Sequence, residues 1–133
     1  MEMNPALIVL VVAIVAYVAS KRLRSKFALG KVQKLVATGV DVLFLDVRTQ
    51  GEHLERRIAD SVNVPLDQLH AGISRVAPDK SAPLAVYCLS GSRAVQAMGI
   101  LRGLGYTNPI NLGAISSWPG EFASGKPQKK RKA

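Results

Sequence analysis

A chain of 133 residues carrying one cysteine has room for a single domain with appendages, and excludes both an internal disulfide and an intramolecular resolving thiol. Its two histidines, His53 and His70, stand at no ligand spacing with Cys88, which excludes a zinc site of the usual pattern; both read as surface residues. The net charge of +9 does not indicate nucleic acid, because residues 35–125 carry seven basic against eight acidic side chains and the excess sits in the two flanks, with few aromatics to stack on bases.

Pro5 to Ala19 is an uninterrupted uncharged run without a polar face, so it does not read as an amphipathic surface helix. A helix from Met3 to Ser20 would span about 27 Å, close to a hydrocarbon core of about 30 Å. Tyr17 suits the interface, and Lys21 and Arg22 can snorkel. A cleaved signal peptide is the competing reading, but its leading region should be basic, and Met1–Asn4 holds Glu2 and neither Lys nor Arg. The positive cluster follows the apolar run instead. That order predicts a single-pass anchor of the inner (cytoplasmic) membrane, with the N-terminus outside and the rest of the chain facing the cytoplasm.

Lys21 to Lys34 reads as a basic helical connector whose charges lie against anionic headgroups or face solvent, ending near Thr38-Gly39, where glycine supplies the C-cap. Val42-Leu43-Phe44-Leu45 is a short, wholly apolar run, as expected of a buried parallel strand. Gln50–Arg57 reads as a short helix, Ser61–Val64 as a second strand closed by Pro65, and Leu66–Val76 as a helix with Leu66, Leu69, Ile73 and Val76 on one face. A strand ending at Cys88, a helix over Ser92–Leu104 and a strand at Ile110–Leu112 follow. Strands alternating with helices at this spacing predict a parallel α/β sheet flanked by helices. The expected division is an anchor at 1–20, a connector at 21–34, the α/β domain at 35–125 and a disordered basic tail at 126–133.

The stretch that carries chemistry is Cys88-Leu89-Ser90-Gly91-Ser92-Arg93, between a strand and a helix. That arrangement gathers free backbone N–H groups at a helix N-terminus, where an anion or a thiolate is stabilised. Gly91 permits a turn that other residues resist. A lone cysteine ending a strand is more often a small buried hydrophobe; the loop around it argues for a nucleophile at the base of an anion pocket. Asp46 and Arg48 end a strand on the same side. Asp46 is expected to cap a turn and Arg48 to pair with Glu52 at i,i+4 spacing, with substrate steering as the alternative. Trp118 reads as a core or lid anchor.

Cys88 to Arg93 resembles the active-site loop of the rhodaneses, a sulfurtransferase family. Leu45-Asp46-Val47-Arg48, Ile58 to Pro65, Asn111 to Ile115, and Trp118 with Gly120 match in the family's order and spacing. The resemblance implies a rhodanese-like fold and sulfur transfer through a persulfide on Cys88, from thiosulfate or another persulfide to a thiol or cyanide. Leu89, Ser90, Gly91, Ser92 and Arg93 would bind the substrate, with no metal and no organic cofactor. It implies small sulfur donors and thiol acceptors as partners; the apolar run adds the bilayer holding residues 3–20 and room for a membrane-protein partner, and the charge distribution indicates no nucleic acid. Related phosphatases carry Cys-x5-Arg; the Cys-x4-Arg here favours sulfane sulfur over phosphate. Two departures stand out: Arg56-Arg57-Ile58 replaces the usual Gly-His-Ile, and Leu89 stands where many thiosulfate-using members place Arg, which implies a weaker hold on thiosulfate. The competing functions are a membrane-anchored recruitment module in which Cys88 is incidental, and a phosphatase or arsenate-reducing relative.

Overall fold

The computed structural model describes residues 2–127. The expected basic tail therefore lies, beyond Pro127, outside the described residues. Helix α1 (Pro5–Ala37) begins with Asn4 as N-cap, its side chain accepting the Ala6 N–H at 3.0 Å, and with Pro5 in the first turn, where its missing N–H costs nothing. It ends where Thr38 Oγ1 donates to Lys34 and Leu35 carbonyls and Gly39 turns the chain at φ +81°. At 33 residues it is about 50 Å long. Its apolar N-terminal part is exposed, and by length and composition it is sufficient to cross a membrane.

The helix runs unbroken through Lys21–Lys34, with its basic residues exposed. Val32, however, is fully buried, and Ala28 and Leu35 pack beside it. The packing of the domain thus begins upstream of residue 35, because one face of the basic stretch carries apolar residues at helical spacing.

Strands β1 (Leu43–Asp46), β3 (Val62–Asn63), β4 (Leu84–Cys88) and β5 (Pro109–Ala114) form one parallel sheet in the order β3-β1-β4-β5. Helices α2 (Gln50–Glu55), α3 (Leu69–Val76, entered through a 3₁₀ turn at Leu66–Gln68) and α4 (Ser92–Gly103) connect them. A separate antiparallel pair joins β2 (Arg57–Ile58) to β6 (Phe122–Ala123). Every residue of β4 is buried, as the central strand of a sheet covered on both faces requires. Its side chains alternate: Leu84, Val86 and Cys88 enter the core with α3 and α4, whereas Ala85 and Tyr87 enter the core shared with Val32, Ile58 and Ile110. Each half-core alone is small; the sheet between them makes one domain.

One expected element is corrected. The helix predicted over Gln50–Arg57 stops at Glu55, Arg56 is extended (φ −162°, ψ 135°), and Arg57-Ile58 becomes β2. Ile58 must reach the core, where it is 1% exposed, and the Arg56 guanidinium stacks 3.9 Å from the Phe122 ring centroid. Burial outweighs continuation of the helix.

Candidate active site

At the carboxyl end of β4 the chain turns through Leu89 and Ser90 to Gly91, which holds φ +107° and serves as N-cap of α4 without a capping side chain. The place of a cap oxygen is taken by sulfur. Cys88 Sγ accepts the Gly91 N–H at 3.0 Å and the Ala94 N–H, in the first turn of α4, at 3.4 Å. These are donors that a helix leaves unsatisfied, at its positive end. Cys88 is fully buried, while Leu89 and Ser90 are exposed. The structure thus brings Cys88 and Leu89–Arg93 into one short loop, and adds Ala94, just past its expected limit, as an amide donor to the sulfur.

Arg93 does not point its charge freely at the loop. Its guanidinium makes a two-pronged contact with Glu52, Nη1 to Oε1 at 2.7 Å and Nη2 to Oε2 at 3.0 Å. Arg93 holds Glu52 down at about 2, with the capping-box bonds from Thr49 adding to the effect and partial burial opposing it. Glu52 was expected to pair with Arg48; that is corrected. Arg48 turns instead to Asp46, Nε to Oδ1 at 3.0 Å and Nη2 to Oδ2 at 2.8 Å, because both are buried and a carboxylate two residues away is the nearest counter-charge. The expected turn cap is present: Asp46 Oδ1 accepts the Arg48 N–H at 2.9 Å.

Asp46 is also the centre of a buried network. His53 Nδ1 lies 2.9 Å from Asp46 Oδ2, and Tyr87 Oη donates to the same oxygen at 3.2 Å while bonding Ser61 Oγ at 2.8 Å and accepting the Ile58 N–H at 3.1 Å. Burial would raise the Asp46 carboxyl, but the bonds from His53 and Arg48 outweigh it and hold the group below its ordinary value. Burial pushes the Tyr87 phenol up to about 12. His53 corrects the expectation of a surface histidine: it is 4% exposed, because α2 turns it toward Asp46, whereas His70 is exposed as expected.

This network sits on the Tyr87 face of the sheet, opposite the Cys88 face, and reaches the loop through α2, which carries both Glu52 and His53. Trp118 packs on Phe44 with ring centroids 5.0 Å apart, and its buried indole N–H has no hydrogen-bond partner among the described residues. Thr49-x-x-Glu52 is a legible capping box; nothing local reports that Glu52 also binds a residue 41 positions away.

Fold and loop together define a class, the parallel α/β domains that present one cysteine from a central strand to a helix N-terminus. Within it this chain belongs to the rhodanese-like domain family, whose model matches residues 28–121. It is 32% identical over 72 residues to the thiosulfate sulfurtransferase PspE of Escherichia coli, covering 54% of this chain and 69% of that one. It is 34% identical over 79 residues to a sulfurtransferase of Allochromatium vinosum, covering 59% and 72%. A solved rhodanese with anions from E. coli superposes with a TM-score of 0.62 at 28% identity, covering 64% of this chain and all of that one.

Proposed function

We propose that this chain is a membrane-anchored sulfurtransferase that carries a sulfane sulfur as a persulfide on Cys88. The observation that supports this most is the seat of the sulfur: Sγ at the end of β4, accepting the Gly91 and Ala94 amides. The Cys88 thiolate attacks the outer sulfur of thiosulfate or a persulfide. A sulfur–sulfur bond forms to Sγ, the donor's own bond breaks, and its electron pair leaves with sulfite or the donor thiolate. The charged terminal sulfur would then lie among the amides of Leu89 to Arg93, fixed dipoles that stabilise negative charge without reorganising. An acceptor thiolate or cyanide attacks that sulfur, and Cys88 leaves as a thiolate received by the same amides. Because Cys88 has no exposed surface, the exposed Leu89-Ser90 turn must shift for a donor to enter.

The anchor is residues 3–20, the connector at 21–34 already packs Val32 on the domain that follows at 35–125, and the domain faces the cytoplasm. Support comes from the basic residues directly after the apolar run and from a helix that passes unbroken from the exposed apolar stretch into the packed core. Incubation of the whole protein with a sulfane donor, followed by intact mass, tests the chemistry. A gain of one sulfur, removed by cyanide and absent in Cys88→Ser, is expected. No gain with any sulfane donor would leave a rhodanese scaffold without transfer.

A further inference from the structure

Helix α1 fixes which edge of the sheet the anchor leaves from. Six residues after Ala37 the chain enters β1, whose first residue Leu43 pairs with Leu84 at the start of β4, which in turn pairs with Pro109 at the start of β5. The C-terminus of α1 is therefore at the amino edge of the strands. Eight residues back along the helix, Leu29 lines a gap with Ala114, Ser117 and Trp118, and Ala114 is the β5 partner of Cys88. So α1 runs antiparallel to the strands, and its continuation toward residue 20 leaves the domain at the carboxyl edge, the edge of the Cys88 loop.

From Leu29 to Ser20 is nine residues, about 14 Å of helix. At the same edge Leu89 and Val95, on either side of the loop, are 55% and 63% exposed. A folded domain of about 100 residues, with a radius of gyration near 13 Å, is too thick for a gap of that depth; a short segment of chain fits it. We propose, resting on the anchored sulfurtransferase reading above, that the protein presents Cys88 toward the bilayer and exchanges sulfur with a thiol on a juxtamembrane segment of a membrane-embedded protein. In the exchange, the partner thiolate attacks the outer sulfur of the Cys88 persulfide, the new S–S bond forms on the partner, and Cys88 departs with the electron pair.

Two measurements on the full-length protein in phosphatidylglycerol/phosphatidylcholine vesicles test this. The first uses a maleimide on the headgroup of phosphatidylethanolamine. In a Cys88→Ser background, Ser90→Cys and, separately, Val95→Cys should form the lipid adduct at least tenfold faster than Ser81→Cys, each rate divided by that for a soluble maleimide. Ser81 is exposed before β4, about 16 Å or more further along the strand direction. The second loads Cys88 with sulfur and offers a thiol on a lipid headgroup, standing for the juxtamembrane thiol, or glutathione in solution. A seven-residue helical insertion after Lys26, which lifts the domain about 10 Å, should cut transfer to the lipid thiol at least fivefold and leave transfer to glutathione unchanged. Equal adduct rates at both edges, in variants that float with the vesicles and with a parent protein that loads sulfur, overturn this inference and leave the function standing. Transfer indifferent to the insertion overturns it too. Failure to float overturns the anchor and the inference together; failure of Cys88 to load sulfur sinks the transfer reading on which both rest.

Discussion

Arg93 and Glu52 neutralise each other beside Cys88, so removing either leaves an unbalanced charge of opposite sign near the sulfur. Arg93→Ala leaves the Glu52 carboxylate, which repels an anionic donor; sulfur loading from thiosulfate should slow about tenfold, roughly 1.4 kcal/mol. Glu52→Gln frees the guanidinium and should leave loading unchanged or faster. Single-turnover mass measurements on the two variants check this, and slowing of both to the same degree would mean that the pair acts by holding α2 to α4 rather than by charge. The same pair sets a pH dependence. Glu52 is held near 2 in the folded chain against an ordinary 4.5, so its contribution is complete above about pH 4.5 and is lost as the pH falls toward 2. About a quarter of each side chain stays in solvent, which limits the contribution to about 1–2 kcal/mol. Urea unfolding at pH 5 and pH 2.5 should show a larger loss in the parent than in Glu52→Gln. At Asp46 the cost is greater. Asp46→Ala would bury the Arg48 guanidinium without a counter-charge and strand His53 and Tyr87, so equilibrium unfolding should record a loss of about 3–5 kcal/mol.

Two elements carry the placement of the loop. Helix α4 starts on Gly91, whose φ of +107° is strained for any residue with a Cβ, although the nearest atom such a Cβ would meet is 3.9 Å away. Gly91→Ala should therefore cost about 1–2 kcal/mol from backbone strain alone. It should also disturb the Gly91 amide that points at Cys88, a loss readable as slower alkylation and slower sulfur loading. Helix α1 does two jobs along its length. Deletion of residues 1–20 should leave a folded, soluble domain, because residues 2–20 are exposed along their whole length. Deletion of residues 1–34 removes Val32 and the packing of Ala28 and Leu29, uncovering one face of β5. Burying one Val side chain is worth about 1.5–3 kcal/mol, so this shorter fragment should unfold at distinctly lower urea or aggregate, as circular dichroism and light scattering would report.

For the whole molecule, the proposed anchor sets how it is held. About 18 apolar residues in hydrocarbon are indifferent to ionic strength, whereas contacts of Lys21–Lys34 with headgroups are screened within about 10 Å at 0.1 M salt. High salt should leave the protein in the membrane fraction and detergent should release it; release by salt alone would return residues 5–19 to a different role. Protease added outside intact cells should leave the domain uncut. Cleavage within it would reverse the orientation drawn from the basic residues after the anchor.

What was legible in the sequence was set locally. Apolar runs and their periods gave the strands and helices, the Cys88–Arg93 spacing with its flanking strand and helix gave the loop, and the family followed from several short stretches in order. Gly39 marks the end of α1 by capping chemistry that acts within a few residues, whereas Asn4, inside the span expected to be helical from Met3, is its N-cap. What only the tertiary structure decided are pairings between elements distant in the chain. Glu52 could sit by a capping box alone, but its choice of Arg93 over Arg48 follows from Asp46 already holding Arg48 in the core. His53 reads as a surface residue until α2 is seen to press it on Asp46. Arg56 and Arg57 leave the helix because β6, more than 60 residues later, offers a strand for Arg57-Ile58 to pair with. Val32 belongs to the core because β5 arrives beneath α1. The physical reason is common to all four. A charge or an apolar side chain is satisfied by whichever partner the folded chain brings within a few ångström, and distance along the sequence does not encode that.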